Sequence, residues 1–493
     1  MTLSSLIAST DVVSVQGSRN GNVDALCFDS RKAGPASVFF ALPGLKADGR
    51  RFAEDAVERG ASVIVTQAPI ASLDVTQIIV TDARAAMADM ASAFFGRPSR
   101  QMKVFAVTGT NGKTTSAFLV QHLCESSNTP CGLLGTIQYR IGSEVIDAPH
   151  TTPESVELQG LLRRMRDAGC DAVAMEASSH ALAQRRVRGM LLDAAIFTNL
   201  TQDHLDYHGS MDAYFEAKAL LFEGLASQEG KRGKAILNGD ERYGSRLQDR
   251  FGKRVPVVTY GVGNGCDFRA SNIQASQTGT TFQLDAQGRQ HLVRLPLIGR
   301  FNVMNTLGAL AAVVSNGLDL RGCVQALAEA PQVPGRLQRI PVKRSFQVFV
   351  DYAHTPDALE NVLRTLRDLR PRRIITVFGC GGDRDRAKRP MMARAVEALS
   401  DFAILTSDNP RSEDPQRILR DVETGLRGDS HTTVEDRRDA IFEAVRLAGS
   451  GDVVLIAGKG HEDYQELATG RIAFSDVAVA TEAVKRKPVE GEP

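Results

Sequence analysis

The sequence predicts an α/β protein of three domains, with a central P-loop-type, mainly parallel sheet and a C-terminal Rossmann-like α/β domain. Three observations carry this expectation. The chain has 493 residues, too many for one hydrophobic core and suited to about three. Short apolar runs alternate with stretches of helical spacing, the pattern of strands and covering helices in a parallel sheet. A glycine-rich turn, Gly109–Thr115, stands between one such run and a helical stretch.

The runs Val104–Thr108, Ala172–Met175, Ala195–Thr198, Ile374–Phe378 and Val453–Ile456 read as buried parallel strands, each ending at polar residues or glycine. Thr114–Ser126 and Ser155–Ala168 read as helices between them. Ligands of such sheets gather beyond the carboxyl ends of the strands, so the chemistry is expected just after those runs. Two boundaries follow. The polar segment Gly96–Gln101 precedes the strand before the glycine-rich turn, and Ala330–Arg336 carries two prolines and a glycine. The expected domains are residues 1–98, 99–331 and 332–493.

Composition narrows the function classes. Hydrophobic residues make up 43% and charged residues 24%, ordinary for a soluble globular chain. A formal net charge of +1 supplies no field that would draw the protein to nucleic acid or an anionic membrane. Seven cysteines, scattered singly and never with CxxC spacing, argue against a disulfide framework and for a reducing compartment. The N-terminus lacks a basic segment followed by a long apolar core, and no apolar run approaches the roughly 20 residues of a membrane helix. A cytoplasmic protein without membrane insertion is expected, and a monomer.

The turn Gly109-Thr110-Asn111-Gly112-Lys113-Thr114-Thr115 has the chemistry of a phosphate cradle. Glycines let backbone N–H groups face phosphate oxygens, the following helix N-terminus adds partial positive charge, and Lys113 adds a full one. Thr114 or Thr115 can offer a hydroxyl to Mg²⁺. The spacing is a shortened GxxGKTT, so its weight comes from its place between a buried strand and a helix. Cys380, in Gly379–Arg384, reads as a small residue packed in a tight loop rather than a reactive thiol.

Beyond this loop the chain resembles the Mur ligase family, the ATP-dependent amino-acid-adding enzymes of peptidoglycan synthesis. The resemblance rests on TGTNGKTT at Thr108–Thr115, TTPE at Thr151–Glu154, MEASSH at Met175–His180 and TNLTQDHLDYH at Thr198–His208. It continues with GRFN at Gly299–Asn302, PGR at Pro334–Arg336, DYAHTP at Asp351–Pro356 and GKGHE at Gly458–Glu462. The matches run in order from about Asp29 to Glu462, nearly the whole chain.

The resemblance implies an ADP-forming acid–amino-acid ligase in which ATP phosphorylates a carboxylate and an incoming amine displaces the phosphate. It implies UDP-N-acetylmuramoyl-L-alanyl-D-glutamate and meso-diaminopimelate as substrates, ATP as co-substrate and Mg²⁺ as cofactor. A lysine-adding ligase of the same family and a folylpolyglutamate-type ligase are the alternatives. The three domains would bind the UDP-sugar, ATP and the amino acid in turn.

By the same resemblance, Gly109, Thr110, Asn111, Gly112, Lys113, Thr114, Thr115, Asn302, Arg336 and Asp351 bind ATP. Thr114, Glu176, His204 and Lys218 (carbamylated, in YFEAK) hold metal, with Lys113, Lys218, Glu176 and His204 catalytic. Phe28, Ser30, Leu45, Lys46, Ala47, His150, Thr151, Thr152, Ser178, Gln184 and Arg186 meet the UDP-muramoyl dipeptide. His150 and Phe28 stand where the family pattern has asparagine and leucine. Arg384, Asp408, Asn409, Pro410, Arg411, Gly458 and Glu462 meet diaminopimelate, with Arg411 on its distal carboxylate and Asp408 and Glu462 attracting its distal ammonium.

Overall fold

A computed structural model describes residues 1–44 and 48–488 as a mixed α/β protein with mainly parallel sheets. The chain divides into two compact units. One holds Met1–Arg269 with Asp285–Arg289 and Met304–Ala326; the other holds Ala270–Leu284, Gln290–Val303 and the chain from Leu327 onward.

In the first unit, Ser14–Gln16, Thr76–Ile79, Ala61–Thr66, Ser37–Phe40 and Ala25–Cys27 line up in that order as a five-stranded sheet. Only Ser14–Gln16 runs antiparallel to its neighbour. Because side chains alternate between faces, Val38, Phe40, Val63 and Val65 pack against Met87 and Met90, whereas Phe39 and Ile64 pack against Ala53 and Ala56. Both faces are therefore covered, which is why these strands read as unbroken apolar runs.

The same unit holds six parallel strands ordered Val257–Gly261, Lys234–Asn238, Ala194–Phe197, Lys103–Thr108, Ala172–Glu176 and Cys131–Leu134. An antiparallel pair, Gln138–Ile141 and Glu144–Asp147, extends the edge beyond Cys131–Leu134. Lys103–Thr108 lies between Ala194–Phe197 and Ala172–Glu176. Three adjacent carboxyl ends thus deliver Gly109, Glu176 and Thr198 to one crevice, the topological position where such sheets bind ligands.

The second unit contains a six-stranded sheet ordered Gln338–Arg339, Gln347–Asp351, Val453–Ala457, Ile374–Phe378, Phe402–Leu405 and His431–Thr433. All pairs are parallel except the first. The helices Pro356–Asp368, Lys388–Leu399 and Pro415–Glu423 cover one face, and Arg437–Leu447 and Asp476–Arg486 the other. Those last two helices are joined at their first turns by Arg437 and Asp476, both 0% exposed, with Nε–Oδ1 at 2.8 Å and Nη2–Oδ2 at 2.7 Å. Removing one member of a buried pair strands the other, so Asp476→Ala should cost about 3–5 kcal/mol. A denaturation midpoint equal to that of the parent chain would show that the pair does not hold these helices.

Candidate functional site

The phosphate loop leaves strand Lys103–Thr108 through Gly109 (φ +147°) and enters helix Lys113–Ser126 through Gly112 (φ +87°). A side chain at Gly109 would run into the Thr198 hydroxyl, and one at Gly112 into the Asn305 side chain, so both positions demand glycine. The strand end beside the loop fastens it. Asn111 N donates to Asn199 Oδ1 at 2.9 Å, Thr110 N to the Asn199 carbonyl at 2.9 Å, and Thr198 Oγ1 to the Asn111 carbonyl at 2.6 Å.

Two lysines converge on this loop. Lys113 Nζ donates to the carbonyls of Gly109 at 3.0 Å and Thr110 at 2.7 Å, and Lys218 Nζ donates to the same Gly109 carbonyl at 2.7 Å. Lys218 lies on helix Met211–Ser227, is 1% exposed and sits 4.4 Å from the centre of the Tyr214 ring. Burial pushes its amine far below the ordinary lysine range, and the neighbouring Lys113 charge pushes the same way. A desolvated lysine with a depressed pKa is a nucleophilic amine rather than a solvated ammonium.

Glu176, 0% exposed, ends its strand on the other side of the loop. Its Oε1 accepts from Thr136 N at 2.7 Å, and its Oε2 accepts from the hydroxyls of Thr114 and Thr136 at 3.1 Å each. His204, in a left-handed conformation (φ +52°), packs edge-on against His180 at 4.9 Å and lies 3.4 Å from Asp203. Burial lowers the pKa of both histidines, so each imidazole favours its neutral form. A buried carboxylate with hydroxyl neighbours beside a phosphate loop is a hard-oxygen donor set, which fits Mg²⁺. Among the described residues no cluster of three or more His, Cys, Asp or Glu gathers. Glu176 and Thr114 are the residues here that would meet a magnesium ion through oxygen.

Of the residues proposed for the muramoyl dipeptide, Thr151, Thr152, Ser178, Gln184 and Arg186 form one connected network around Glu176. Thr151 and Thr136 share a hydroxyl contact at 3.1 Å, and Thr152 Oγ1 donates to the Glu176 carbonyl at 2.8 Å while accepting from Ser178 N at 3.1 Å. Arg186 donates to Gln184 Oε1 at 2.7 Å and to the Thr152 carbonyl at 2.8 Å, and it pairs with Glu154 at 3.0 Å. His150 contributes its carbonyl, which accepts from the Tyr139 hydroxyl at 2.5 Å. Phe28 packs on the N-terminal core beside Val156, and Ser30 opens a short turn capped by Asp29. Leu45, Lys46 and Ala47 lie outside the described residues. Thr136 and Tyr214 escaped the sequence reading. Thr136 follows the apolar run Cys131–Leu134, so the strand-end rule would have found it.

In the second unit Asp351 and Gly458 stand at the carboxyl ends of two neighbouring strands, Gln347–Asp351 and Val453–Ala457, while Arg384 and Asp408–Arg411 follow Ile374–Phe378 and Phe402–Leu405. Asp351 accepts from Leu337 N at 2.5 Å and Ala353 N at 2.7 Å. Burial raises its carboxyl above the ordinary range although Arg336 pulls it down. Arg336 stacks over the Tyr352 ring at 4.9 Å, and Tyr352 in turn faces His461 at 5.2 Å. Asn302 Nδ2 donates to the Ile298 carbonyl at 2.9 Å.

Gly458 (φ +119°) and Glu462 flank Lys459, and Asp408–Arg411 follows strand Phe402–Leu405. Asn409 turns inward: its Nδ2 donates to Glu462 Oε2 at 2.9 Å. Arg411 (φ +53°) donates from Nε to Glu466 Oε2 at 3.1 Å and from Nη1 to the Gly382 carbonyl at 2.8 Å. Pro410 lies against Gly382, and Arg384, exposed, reaches back to the Asp383 carbonyl at 3.2 Å. The partner of Arg411 belongs to a hairpin, Tyr464–Leu467 with Gly470–Ala473, that the sequence reading missed. Cys380 is buried beside Met392 at 3.6 Å, and burial holds its thiol up at about 12, so it is a packing residue.

A glycine-rich loop at the switch point with a buried carboxylate beside it, and a second strand-end cluster rich in charge, have the arrangement of a nucleotide-dependent α/β enzyme. The chain matches the Mur ligase family, catalytic domain, over residues 22–95, the Mur ligase middle domain over 107–313, and the Mur ligase, glutamate ligase domain, over 335–460. It is 46% identical to the UDP-N-acetylmuramoyl-L-alanyl-D-glutamate–2,6-diaminopimelate ligase of Geobacillus kaustophilus, covering 95% of this chain and 96% of that one. The ligase of the same name from Geobacillus thermodenitrificans is also 46% identical, with the same coverage. A solved structure under that name superposes with a TM-score of 0.73 at 36% identity, covering 98% of this chain and 99% of the other. The chain belongs to the Mur ligase family.

Proposed function

We propose that this protein joins meso-diaminopimelate to UDP-N-acetylmuramoyl-L-alanyl-D-glutamate, using ATP and releasing ADP and phosphate. The observation that carries the reading is the near-full-length identity to ligases named for that reaction. Two strand-end sites of suitable chemistry support it: a phosphate loop with a buried carboxylate, and a charged turn that sets Arg411, Asp408 and Glu462 close together. Three functional domains, 1–98 for the UDP-sugar, 99–331 for ATP and 332–493 for the amino acid, go with this reading.

The loop amides from Gly109 to Thr115 and the Lys113 ammonium would cradle the polyphosphate. The negative charge of the transferred group would be met by groups already in place, which is most of what phosphoryl transfer requires. Glu176, Thr114, His204 and Lys218 as its carbamate would hold magnesium, and the ion when bound would neutralise phosphate charge. Thr151, Thr152, Ser178, Gln184 and Arg186 would fix the peptide end of the acceptor. The acceptor carboxylate would take the γ-phosphoryl group as ADP leaves; the incoming amine would then attack the carbonyl carbon, forming the C–N bond and losing a proton as the C–O bond breaks and phosphate departs. Asn302, Arg336 and Asp351 would complete the nucleotide contacts.

A ligation assay with the UDP-muramoyl dipeptide, ATP and either diaminopimelate or lysine tests the reading, and turnover with lysine alone would overturn it. The distal carboxylate separates the two amino acids, and a planar guanidinium recognises a carboxylate with paired donors. Arg411→Ala should therefore lose about a hundredfold in kcat/KM for diaminopimelate while lysine turnover changes far less. Equal losses for both amino acids would remove Arg411 from selectivity.

A further inference from the structure

Lys459 follows strand Val453–Ala457 in a Gly-Lys-Gly turn, and its side chain is 0% exposed. A buried ammonium costs several kcal/mol unless charge and hydrogen bonds surround it. Here Nζ donates to Asn409 Oδ1 at 2.8 Å and Glu462 Oε2 at 2.9 Å, and it lies 3.6 Å from Asp408 Oδ1. The same lysine therefore touches the turn after strand Phe402–Leu405 and the turn after strand Val453–Ala457.

A third segment closes on this hub. The hairpin that begins at Tyr464 sends Gln465 Nε2 to the Asp408 carbonyl at 2.7 Å and Glu466 N to Asn409 Oδ1 at 2.9 Å. In return Arg411 N donates to the Glu466 carbonyl at 2.9 Å. Charge completes the picture. Arg437 and Asp476 neutralise one another, which leaves Lys459 set against two acids, Asp408 and Glu462. The cluster thus keeps one net negative charge, the complement of a single incoming ammonium.

We infer that Lys459 is a positioning residue of the amino-acid site: buried away from the ligand, it fixes the spacing of Asp408 and Glu462 and limits their joint charge to what one ammonium balances. The inference rests on the proposed amino-acid-adding activity. Without Lys459 the two carboxylates would face each other unbalanced, their spacing would relax, and Asn409 would lose the contact that aims its amide at Glu462. The side-chain bonds of Lys459 run to Asn409 and Glu462, with Asp408 beside it, all residues proposed for the amino acid.

Lys459→Met keeps an unbranched chain of similar length without the charge. Its KM for diaminopimelate should rise tenfold or more, while the KM values for ATP and the UDP-muramoyl dipeptide stay within about twofold. A lysine that only stabilised the fold would instead lower the melting temperature and the active fraction with all three KM values unchanged, and that result overturns the inference. Should Lys459→Met not fold, Gln465→Met removes the hairpin's hold on the Asp408 carbonyl. It should raise the diaminopimelate KM alone, about threefold or more, and no rise overturns the inference. Parent enzyme that ignores diaminopimelate but uses another amino acid would overturn the proposed substrate. The selective rise is then read with that amino acid, so the two ideas fail separately.

Discussion

Lys113→Ala should lose ATP turnover by about a thousandfold or more while its melting temperature stays near that of the parent protein. The lysine begins helix Lys113–Ser126 and reaches back over the loop to the Gly109 and Thr110 carbonyls. It thereby places a full positive charge where backbone amides supply only partial ones. Anion binding at a helix N-terminus survives loss of that charge, but the extra negative charge of a transferring phosphoryl group does not find its counterpart. Lys113 is half-buried and is not among the residues of the hydrophobic core, so the fold is expected to remain. A kcat near the parent value would take the loop out of the reaction.

Lys218→Ala should be almost inactive and partly restored by short carboxylic acids, whereas Lys218→Arg should stay inactive. The buried amine is pushed toward its neutral form, and a neutral amine is the form that adds carbon dioxide. In that addition the nitrogen lone pair forms a bond to carbon, one N–H proton leaves, and a carboxylate replaces the positive charge. On the proposed function the product would suit the site, because it would supply an anion to a magnesium ion that an ammonium would repel. An added acid can occupy the space that alanine opens, while a guanidinium brings the wrong charge. Full activity of the alanine variant in bicarbonate-free buffer would sink the carbamate.

Much of the fold is legible in the sequence because buried parallel strands are continuous apolar runs. Ile374–Phe378 and Phe402–Leu405 read directly, and helix Lys113–Ser126 is displaced by one residue from its expected start. The antiparallel elements are less legible. The hairpin Tyr464–Leu467 with Gly470–Ala473 carries glutamine, glutamate and arginine, so no apolar pattern marks it, and its value lies in backbone and amide bonds to a distant turn. Burial of charge is likewise hard to read. Lys218 and Lys459 look like solvated lysines on a helix and in a glycine turn, and only tertiary packing buries them. Asn409 and Arg411 show the limit of motif reasoning: the motif proposes ligand contacts, whereas the structure also gives each an internal partner.

The pair formed by Arg437 and Asp476 has a consequence for how the protein is made. Arg437 also donates to the Ala457 carbonyl at 3.0 Å, directly behind Gly458 and the turn that carries Lys459 and Glu462. The acid that balances this arginine lies on the final helix of the chain, Asp476–Arg486. During synthesis, the Arg437 guanidinium lacks its bidentate partner until residue 476 leaves the ribosome, and only Asp408 and Glu462 act on it before then. The turn that carries Lys459 and Glu462 therefore gains its full support only once residue 476 has been made, and a chain cut short before it would leave the guanidinium behind Gly458 without its bidentate acid.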